Sequence, residues 1–126
     1  MIRVLIVDDS TTIRAMLEEV LGREKDILLV GSAADAATAL RLVRECRPDV
    51  ATLDIAMPGA DGLALLEAIH GQTHAIMLTC HSEAVAESFA KGAFGFFDKS
   101  AILTDSKRLL RMVRAAAQGK LTRRAA

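Results

Sequence analysis

The side chains best suited to chemistry in this chain are carboxylates and one lysine, each placed just after a short apolar run. Asp8 and Asp9 follow one run, Asp54 ends another, and Lys99 comes directly after a third. A carboxylate at such a point must face solvent, pair with a cation or bind a metal, because burying it alone is costly. Thr79 ends a further run and adds a hydroxyl group.

The elements that position these residues are alternating strands and helices. Strands are predicted at 4–7, 27–30, 50–53, 75–78 and 95–97, and helices after Ser10 or Thr11, after Asp35, after Asp61, after Ser82 and over 104–118. This alternation predicts an α/β fold with a parallel sheet, right-handed crossovers and helices on both faces. We expect the flavodoxin-like (βα)5 doubly wound arrangement with strand order 2-1-3-4-5.

That strand order brings the candidate residues to one edge of the sheet, where ligands bind in open parallel sheets. Asp8, Asp9 and Asp54 would crowd together and repel, and a hard divalent cation such as Mg²⁺ is the simplest remedy. Lys99 adds a point charge and Thr79 a hydroxyl donor. Such a site suits a phosphoryl group.

Length and composition fit one cytoplasmic globular domain. The chain has 126 residues, of which 52% are hydrophobic and 25% charged. No apolar run approaches the roughly 20 residues of a membrane span, and the first residues lead straight into a strand pattern rather than a signal peptide. Cys46 and Cys80 are predicted to be free thiols.

The net charge is zero, but it is unevenly distributed. Residues 1–104 carry 9 Lys and Arg against 15 Asp and Glu, whereas residues 105–126 carry 7 against 1. The basic residues recur at helical spacing, which is typical of the solvated face of an amphipathic last helix. With no aromatic residue among them, nucleic-acid binding is not favoured.

The ordered set of motifs resembles the receiver domain of two-component response regulators, the CheY-like family. The resemblance rests on Val7-Asp8-Asp9-Ser10, Leu53-Asp54-Ile55-Ala56-Met57-Pro58, Asp61-Gly62, Thr79 and Phe97-Asp98-Lys99, and it covers residues 2–118. The first and third strand segments are also similar to receivers of chemotaxis methylesterases. Nothing in the chain resembles the catalytic domain of those enzymes.

The resemblance implies a role for each site residue. Asp54 would take a phosphoryl group from a phosphohistidine. Asp9, Asp54 and the backbone carbonyl of Ala56 would bind Mg²⁺ directly, and Asp8 would contribute to the metal site mainly through bound water. Lys99 would pair with a phosphoryl oxygen. Thr79 would turn towards the new phosphate, and Phe96 would swing into the space that it leaves.

The implied switch alters the surface made by the fourth helix, the fifth strand and the last helix. Ala56 and His81 would flank the phosphoryl group and set its lifetime by controlling water entry. Ser100 stands where many receivers have proline, so we expect a freer loop after Lys99 and no cis peptide bond there.

Other interpretations of the same residues remain open. Asp8, Asp9 and Asp61 could each serve only as helix caps. The chain could be a Mg²⁺-dependent phosphatase with an aspartyl nucleophile, as in the haloacid dehalogenase family, although that family has a second acid two residues after the nucleophile. A docking module that works without phosphorylation is a third class.

The resemblance also implies partners and a domain layout. Residues 1–119 would form the receiver domain and 120–126 a short basic tail. The phosphodonor would be a sensor histidine kinase or a histidine phosphotransfer protein. The output would be a separate protein or a domain absent from this chain, and phosphorylation could drive homodimerisation. The chain would catalyse only its own phosphorylation and the slow hydrolysis of the acyl phosphate.

Overall fold

The computed structural model describes residues 1–57, 60–80 and 92–119. The strands of the main sheet are β1 Ile2–Val7, β2 Ile27–Ala33, β3 Val50–Asp54, β4 His74–Thr79 and β5 Gly95–Asp98. The helices are α1 Thr11–Gly22, α2 Ala36–Cys46, α3 Gly62–Ile69 and a C-terminal helix, Ser106–Gln118. The predicted fourth helix after Ser82 lies outside the described residues, as do His81 and the tail 120–126.

The five main strands are all parallel and follow the order β2-β1-β3-β4-β5. The predicted flavodoxin-like α/β fold and strand order are therefore confirmed. The sheet register pairs Val7 with Leu53 and Thr79 with Asp98. Because the strands are parallel and in register, the residues that follow them meet at one edge of the sheet.

Two apolar layers cover the two faces of the sheet. On one face α1 and the C-terminal helix pack on a fully buried set that includes Val4, Ile6, Ile76, Leu78 and Phe97. On the other face α2 and α3 pack on Leu5, Val7, Leu53 and Met77. The alternation of the two sets along each strand follows from the two-residue period of a strand. The strands read as continuous apolar runs because both faces are covered.

Several boundaries differ from the predictions. β2 continues from Val30 to Ala33, because Gly31, Ser32 and Ala33 still pair with the end of β1 after a register shift. These three residues have small or polar side chains, which give little indication of a strand in the sequence. β2 is an edge strand of the sheet. The C-terminal helix begins at Ser106, and the chain before it forms a 3₁₀ helix, Lys99–Ala101, that was not predicted.

A short antiparallel pair that was also not predicted follows β3. Ala56 pairs with Asp61 and Met57 with Ala60. Gly62 comes next, and its N–H donates to the carbonyl of Ile55 at 3.1 Å. This pair folds the chain back, so that α3 begins directly beside the end of β3.

The C-terminal helix is tied to the rest of the domain by polar contacts. The guanidinium of Arg114 donates to Asp26 at 2.9 Å and to Glu24 at 2.7 Å. At the end of the helix, His74 Nε2 lies 2.9 Å from the carbonyl oxygen of Gly119. Arg114 belongs to the basic face of this helix, and its side chain is partly exposed as that prediction requires. Its ion pairs with acidic residues of the α1–β2 turn were not predicted.

Two smaller predictions concern thiols and membranes. Cys46 and Cys80 are free thiols, as predicted. Within the described ranges, no helix combines the length and apolar character needed to cross a membrane.

Candidate functional site

The acidic turn after β1 is held by its own backbone hydrogen bonds. Asp8 is fully buried, and its Oδ1 accepts from the N–H of Ser10 at 2.8 Å. The Asp8 N–H donates to the carbonyl of Ala33 at 3.0 Å, which continues the pairing with β2. Asp9 is exposed. The turn therefore presents one buried and one exposed carboxylate at the same edge.

Helix α1 is capped by neither of these acids. Ser10 occupies the N-cap position, and its Oγ accepts from the N–H of Ile13 at 3.2 Å. A side-chain oxygen in this position satisfies one of the free N–H groups at the start of a helix. Because Ser10 already supplies the cap, capping does not explain the presence of Asp8 and Asp9.

Arg14 is a contributor to this turn that the sequence analysis missed. Its Nη1 donates to the carbonyl oxygen of Asp8 at 2.7 Å, and its Nη2 lies 3.4 Å from Thr11 Oγ1. The guanidinium thus reaches back over the first turn of α1 onto the acidic turn. Its position one turn into the helix was the available signal, but only the side-chain conformation shows which way it reaches.

Asp54 and Thr79 end neighbouring strands of the sheet. Asp54 is 2% exposed at the end of β3, and its register partner on β4 is Leu78. Thr79 follows Leu78, ends β4 and is 7% exposed. Thr79 is therefore one residue beyond Leu78, the register partner of Asp54, and lies at the edge of the sheet where the sequence predicted it.

Lys99 joins the two buried carboxylates. Its Nζ lies 2.8 Å from Asp54 Oδ1 and 3.1 Å from Asp8 Oδ2, and its side chain is 16% exposed. Burial acts to lower the pKa of Lys99, but the hydrogen bonds to Asp54 and Asp8 outweigh it and raise the pKa above its usual value. Lys99 is therefore a cation at neutral pH and holds both acids in ion pairs.

The cluster of three acids has the composition of a cation site. Asp8, Asp9 and Asp54 each offer one carboxylate oxygen, and these three oxygens lie within 4.8 Å of one another. One ammonium group faces three carboxylates, so the ion pairs leave an excess of negative charge. Carboxylate oxygens at this spacing suit a hard divalent ion such as Mg²⁺. The charge balance and the donor set both fit such an ion.

The remaining predicted site residues are less fully described. The backbone of Ala56 lies in the short antiparallel pair two residues beyond Asp54. Phe96 is partly buried and packs on the apolar layer beneath α2 and α3. Its neighbour Phe97 is fully buried on the opposite face, with the guanidinium carbon of Arg108 4.3 Å from its ring centre. The roles of Ala56, Phe96 and His81 stay predictions.

Comparison with known proteins agrees with this geometry. The sequence matches the family described as the response regulator receiver domain over residues 4–114. The chain belongs to this family. Among curated proteins, it is 41% identical over 100 residues to a protein-glutamate methylesterase/protein-glutamine glutaminase from Koribacter versatilis, covering 77% of this chain and 28% of that protein. A relative with the same description from Rhodopseudomonas palustris is 37% identical over 132 residues, covering 95% of this chain and 36% of that protein.

Solved receiver structures have the same fold. The response regulator domain of CheB from Thermotoga maritima superposes with a TM-score of 0.88 at 31% identity, covering 95% of this chain and 98% of that one. The signal receiver domain of NarL from Mycobacterium tuberculosis gives a TM-score of 0.85 at 31% identity, with 94% and 98% covered.

The relatives are much longer than this chain, which spans about a third of the length of the two methylesterases named above. The chain shares their receiver segment. It is thus a receiver domain of the kind that switches in response to phosphorylation, for which a histidine kinase is the general phosphodonor.

Proposed function

We propose that Asp54 accepts a phosphoryl group from a phosphohistidine of a sensor histidine kinase or a histidine phosphotransfer protein. The observation that carries this proposal is the buried ion-pair cluster, in which Lys99 contacts Asp54 and Asp8 while Asp9 lies alongside. A carboxylate nucleophile, a nearby cation and an acidic cation site are the components that phosphoryl transfer to an aspartate requires.

The transfer is a displacement at phosphorus. A carboxylate oxygen of Asp54 forms a bond to phosphorus as the bond between phosphorus and the donor's imidazole nitrogen breaks. The electron pair of that bond stays on the imidazole nitrogen, and the product on Asp54 is an acyl phosphate. Lys99 stabilises the phosphoryl oxygens, because its ammonium already lies at hydrogen-bonding distance from the Asp54 carboxylate.

Asp8, Asp9 and Asp54 would hold Mg²⁺, together with the backbone carbonyl of Ala56. When bound, the ion supplies charge neutralisation for the incoming phosphoryl group. The role of the chain is to keep three carboxylate oxygens within 4.8 Å of one another despite their repulsion. The hydrogen bond from the Ser10 N–H to Asp8 and the two ion pairs of Lys99 perform that role.

The phosphorylated state would be transmitted through Thr79 and Phe96. Thr79 would turn its hydroxyl to the phosphate and Phe96 would move inward, which would alter the surface made by the fourth helix expected from the sequence, β5 and the C-terminal helix. Thr79 Cα pairs with Asp98 Cα across β4 and β5, so a change at the end of β4 reaches β5 directly. Ala56 and His81 would set the lifetime of the acyl phosphate.

We further infer that residues 1–119 act as the receiver and 120–126 as a short basic tail, with no catalysis beyond self-phosphorylation and hydrolysis. The methylesterase activity named for the relatives would then belong to a separate domain, because this chain spans only their receiver segment. A cytoplasmic location, a downstream protein target and phosphorylation-dependent homodimerisation belong to the same proposal.

The test is intact mass after incubation with a small-molecule phosphodonor, with and without Mg²⁺. We expect a Mg²⁺-dependent phosphoryl adduct that is absent in Asp54→Asn. Asp26→Asn is the matched control, because Asp26 is a surface acid paired with Arg114 on the C-terminal helix and should leave the adduct intact. Release of inorganic phosphate is followed in parallel, so that rapid hydrolysis is seen. An adduct that persists in Asp54→Asn, or neither adduct nor phosphate from the wild type, refutes the proposal.

A further inference from the structure

The turn after β5 is closed by a single carboxylate oxygen. Asp98 Oδ1 accepts two hydrogen bonds from Ser100, one from its N–H and one from its hydroxyl, each at 2.8 Å. Asp98 is thereby the N-cap of the 3₁₀ helix Lys99–Ala101. The peptide bond between Lys99 and Ser100 is trans. Ser100 is thus held by two hydrogen bonds to the Asp98 carboxylate, and the freer loop expected from a serine at this position stays a prediction.

Both sides of this turn are anchored to the domain. Asp98 is the last residue of β5 and pairs with Thr79 of β4. Ile102 follows the turn, is fully buried, and its N–H donates to the carbonyl of Lys99 at 3.3 Å. The backbone of Lys99 thus lies between a sheet residue and a core residue, and the Asp98–Ser100 hydrogen bonds fix the angle between the two.

This geometry matters because Lys99 must contact two carboxylates with one ammonium group. Its side chain is long and flexible, and its Nζ must meet Asp54 Oδ1 and Asp8 Oδ2 together. A flexible side chain performs such a double contact well only when its starting point is fixed. Beside the backbone hydrogen bond from Ile102 to Lys99, the Asp98–Ser100 hydrogen bonds are the side-chain contacts of this turn that fix it.

We propose that Asp98 and Ser100 are positioning residues for Lys99, which through their shared hydrogen bonds hold its backbone where the ammonium can bridge Asp54 and Asp8. For catalysis this inference rests on the proposed phosphoryl transfer to Asp54. The carboxylate does not touch the reacting atoms. Its contribution is the acceptor oxygen, and its charge is secondary. The hydrogen bonds from Ser100 hold the pKa of Asp98 below its usual value, so the acceptor is ionised at neutral pH.

The first test compares phosphorylation rates with a small-molecule phosphodonor. Asp98→Ala removes the acceptor and should slow the reaction about tenfold, whereas Asp98→Asn keeps an oxygen acceptor and should recover most of that loss. Ser100→Ala keeps the N–H and should slow it about threefold, since one of two hydrogen bonds is lost. The matched control is Asp35→Ala, which removes a similar N-cap hydrogen bond, to Thr38 N–H at 2.8 Å, at the start of α2. This helix follows β2, which lies at the opposite edge of the sheet from β5.

A double-mutant cycle separates positioning from a general structural effect. In a Lys99→Ala background, Asp98→Ala should change the rate by less than about twofold, because there is no lysine left to position. Mg²⁺ affinity, measured by titration calorimetry, should not fall in Asp98→Ala, because the ammonium of Lys99 pairs with two of the carboxylates that would hold the ion. An equal loss of rate in both backgrounds, or a fall in Mg²⁺ affinity that accounts for the loss, overturns the proposal.

The second test does not depend on phosphorylation. The chain contains five lysines, so the ammonium group of Lys99 can be assigned by ¹⁵N NMR from its absence in Lys99→Ala. At fixed neutral pH its ion pairs should give a protected signal in the wild type that is lost in Asp98→Ala and retained in Asp98→Asn. An unchanged signal in Asp98→Ala refutes positioning even if transfer occurs. A lost signal supports positioning even if the wild type forms no adduct, in which case only the proposed function fails.

Discussion

Gly62 is the position at which the structure allows the sharpest prediction about the end of β3. A Cβ added to Gly62 would lie 2.2 Å from the carbonyl oxygen of Asp54 and 2.7 Å from that of Ile55. Ordinary contact begins near 3.4 Å, so the two backbones must separate by about 1 Å to admit a methyl group. Gly62→Ala therefore displaces the backbone of Asp54, the proposed phosphoacceptor.

We expect this substitution to cost about 3 kcal/mol of unfolding free energy, the upper end for overpacking, because the opposing atoms are backbone and cannot rotate away. For a chain of 126 residues, that loss lowers Tm by roughly 10 °C. The same displacement should slow phosphorylation of Asp54 by about 100-fold, the usual cost of a misplacement near 1 Å.

The matched control is Gly71→Ala, because a Cβ at Gly71 meets no atom within 4 Å. Unfolding is followed by far-ultraviolet circular dichroism, since the chain contains no Trp or Tyr. Gly71→Ala should stay within about 0.5 kcal/mol of the wild type. If Gly62→Ala is as stable as Gly71→Ala, the close approach of Gly62 to Asp54 is not a constraint on this fold and the reasoning is wrong.

Two further predictions concern ion pairs. Lys99→Met leaves the carboxylates of Asp8 and Asp54 without their cation, so urea denaturation without divalent ions should show a loss of about 3 kcal/mol. Saturating Mg²⁺ should stabilise this variant more than the wild type, and equal gains would contradict the charge argument. Arg114 holds the pKa of Asp26 below its ordinary value of 3.8 by a side-chain hydrogen bond. This stabilisation is present above pH 3.8 and is lost as the pH falls through the folded pKa. Arg114→Met should therefore be less stable than wild type at pH 7, with the gap narrowing below pH 3.8, and a gap that is constant with pH would contradict the assignment.

The fold could be predicted from the sequence because both faces of the sheet are covered. Burial on both faces makes β3 and β4 continuous apolar runs, and such runs separated by helical periods indicate a parallel sheet. The end of β2 could not be predicted, since Gly31 and Ser32 extend this edge strand through backbone pairing that side-chain type does not report. The start of the C-terminal helix could not be predicted either, because the 3₁₀ helix that precedes it is a backbone feature that side-chain type does not report.

The site was predictable at the level of which residues meet, but not at the level of which atoms do. The strand order alone places Asp8, Asp54 and Lys99 at one edge. The ion pairs from Lys99 to both acids depend on side-chain conformation, which a spacing pattern does not contain. Arg14 was missed because its contact is to a backbone carbonyl, and any polar side chain on that face of α1 could have been read as solvated.

The arrangement of charge explains why the site needs a precise backbone. Asp8 and Asp54 are almost fully buried, and each would be strongly disfavoured there without a cation. Lys99 pairs with both at once, so its ammonium must stay within hydrogen-bonding distance of two carboxylate oxygens, one just after β1 and one at the end of β3. Such a double contact fails if either strand end or the turn after β5 shifts. Gly62 sets the backbone position of Asp54, and the Asp98–Ser100 turn sets that of Lys99. The two features therefore act on the two partners of one ion pair. For this reason, substitutions at two positions that do not touch the phosphoryl group are expected to slow its transfer.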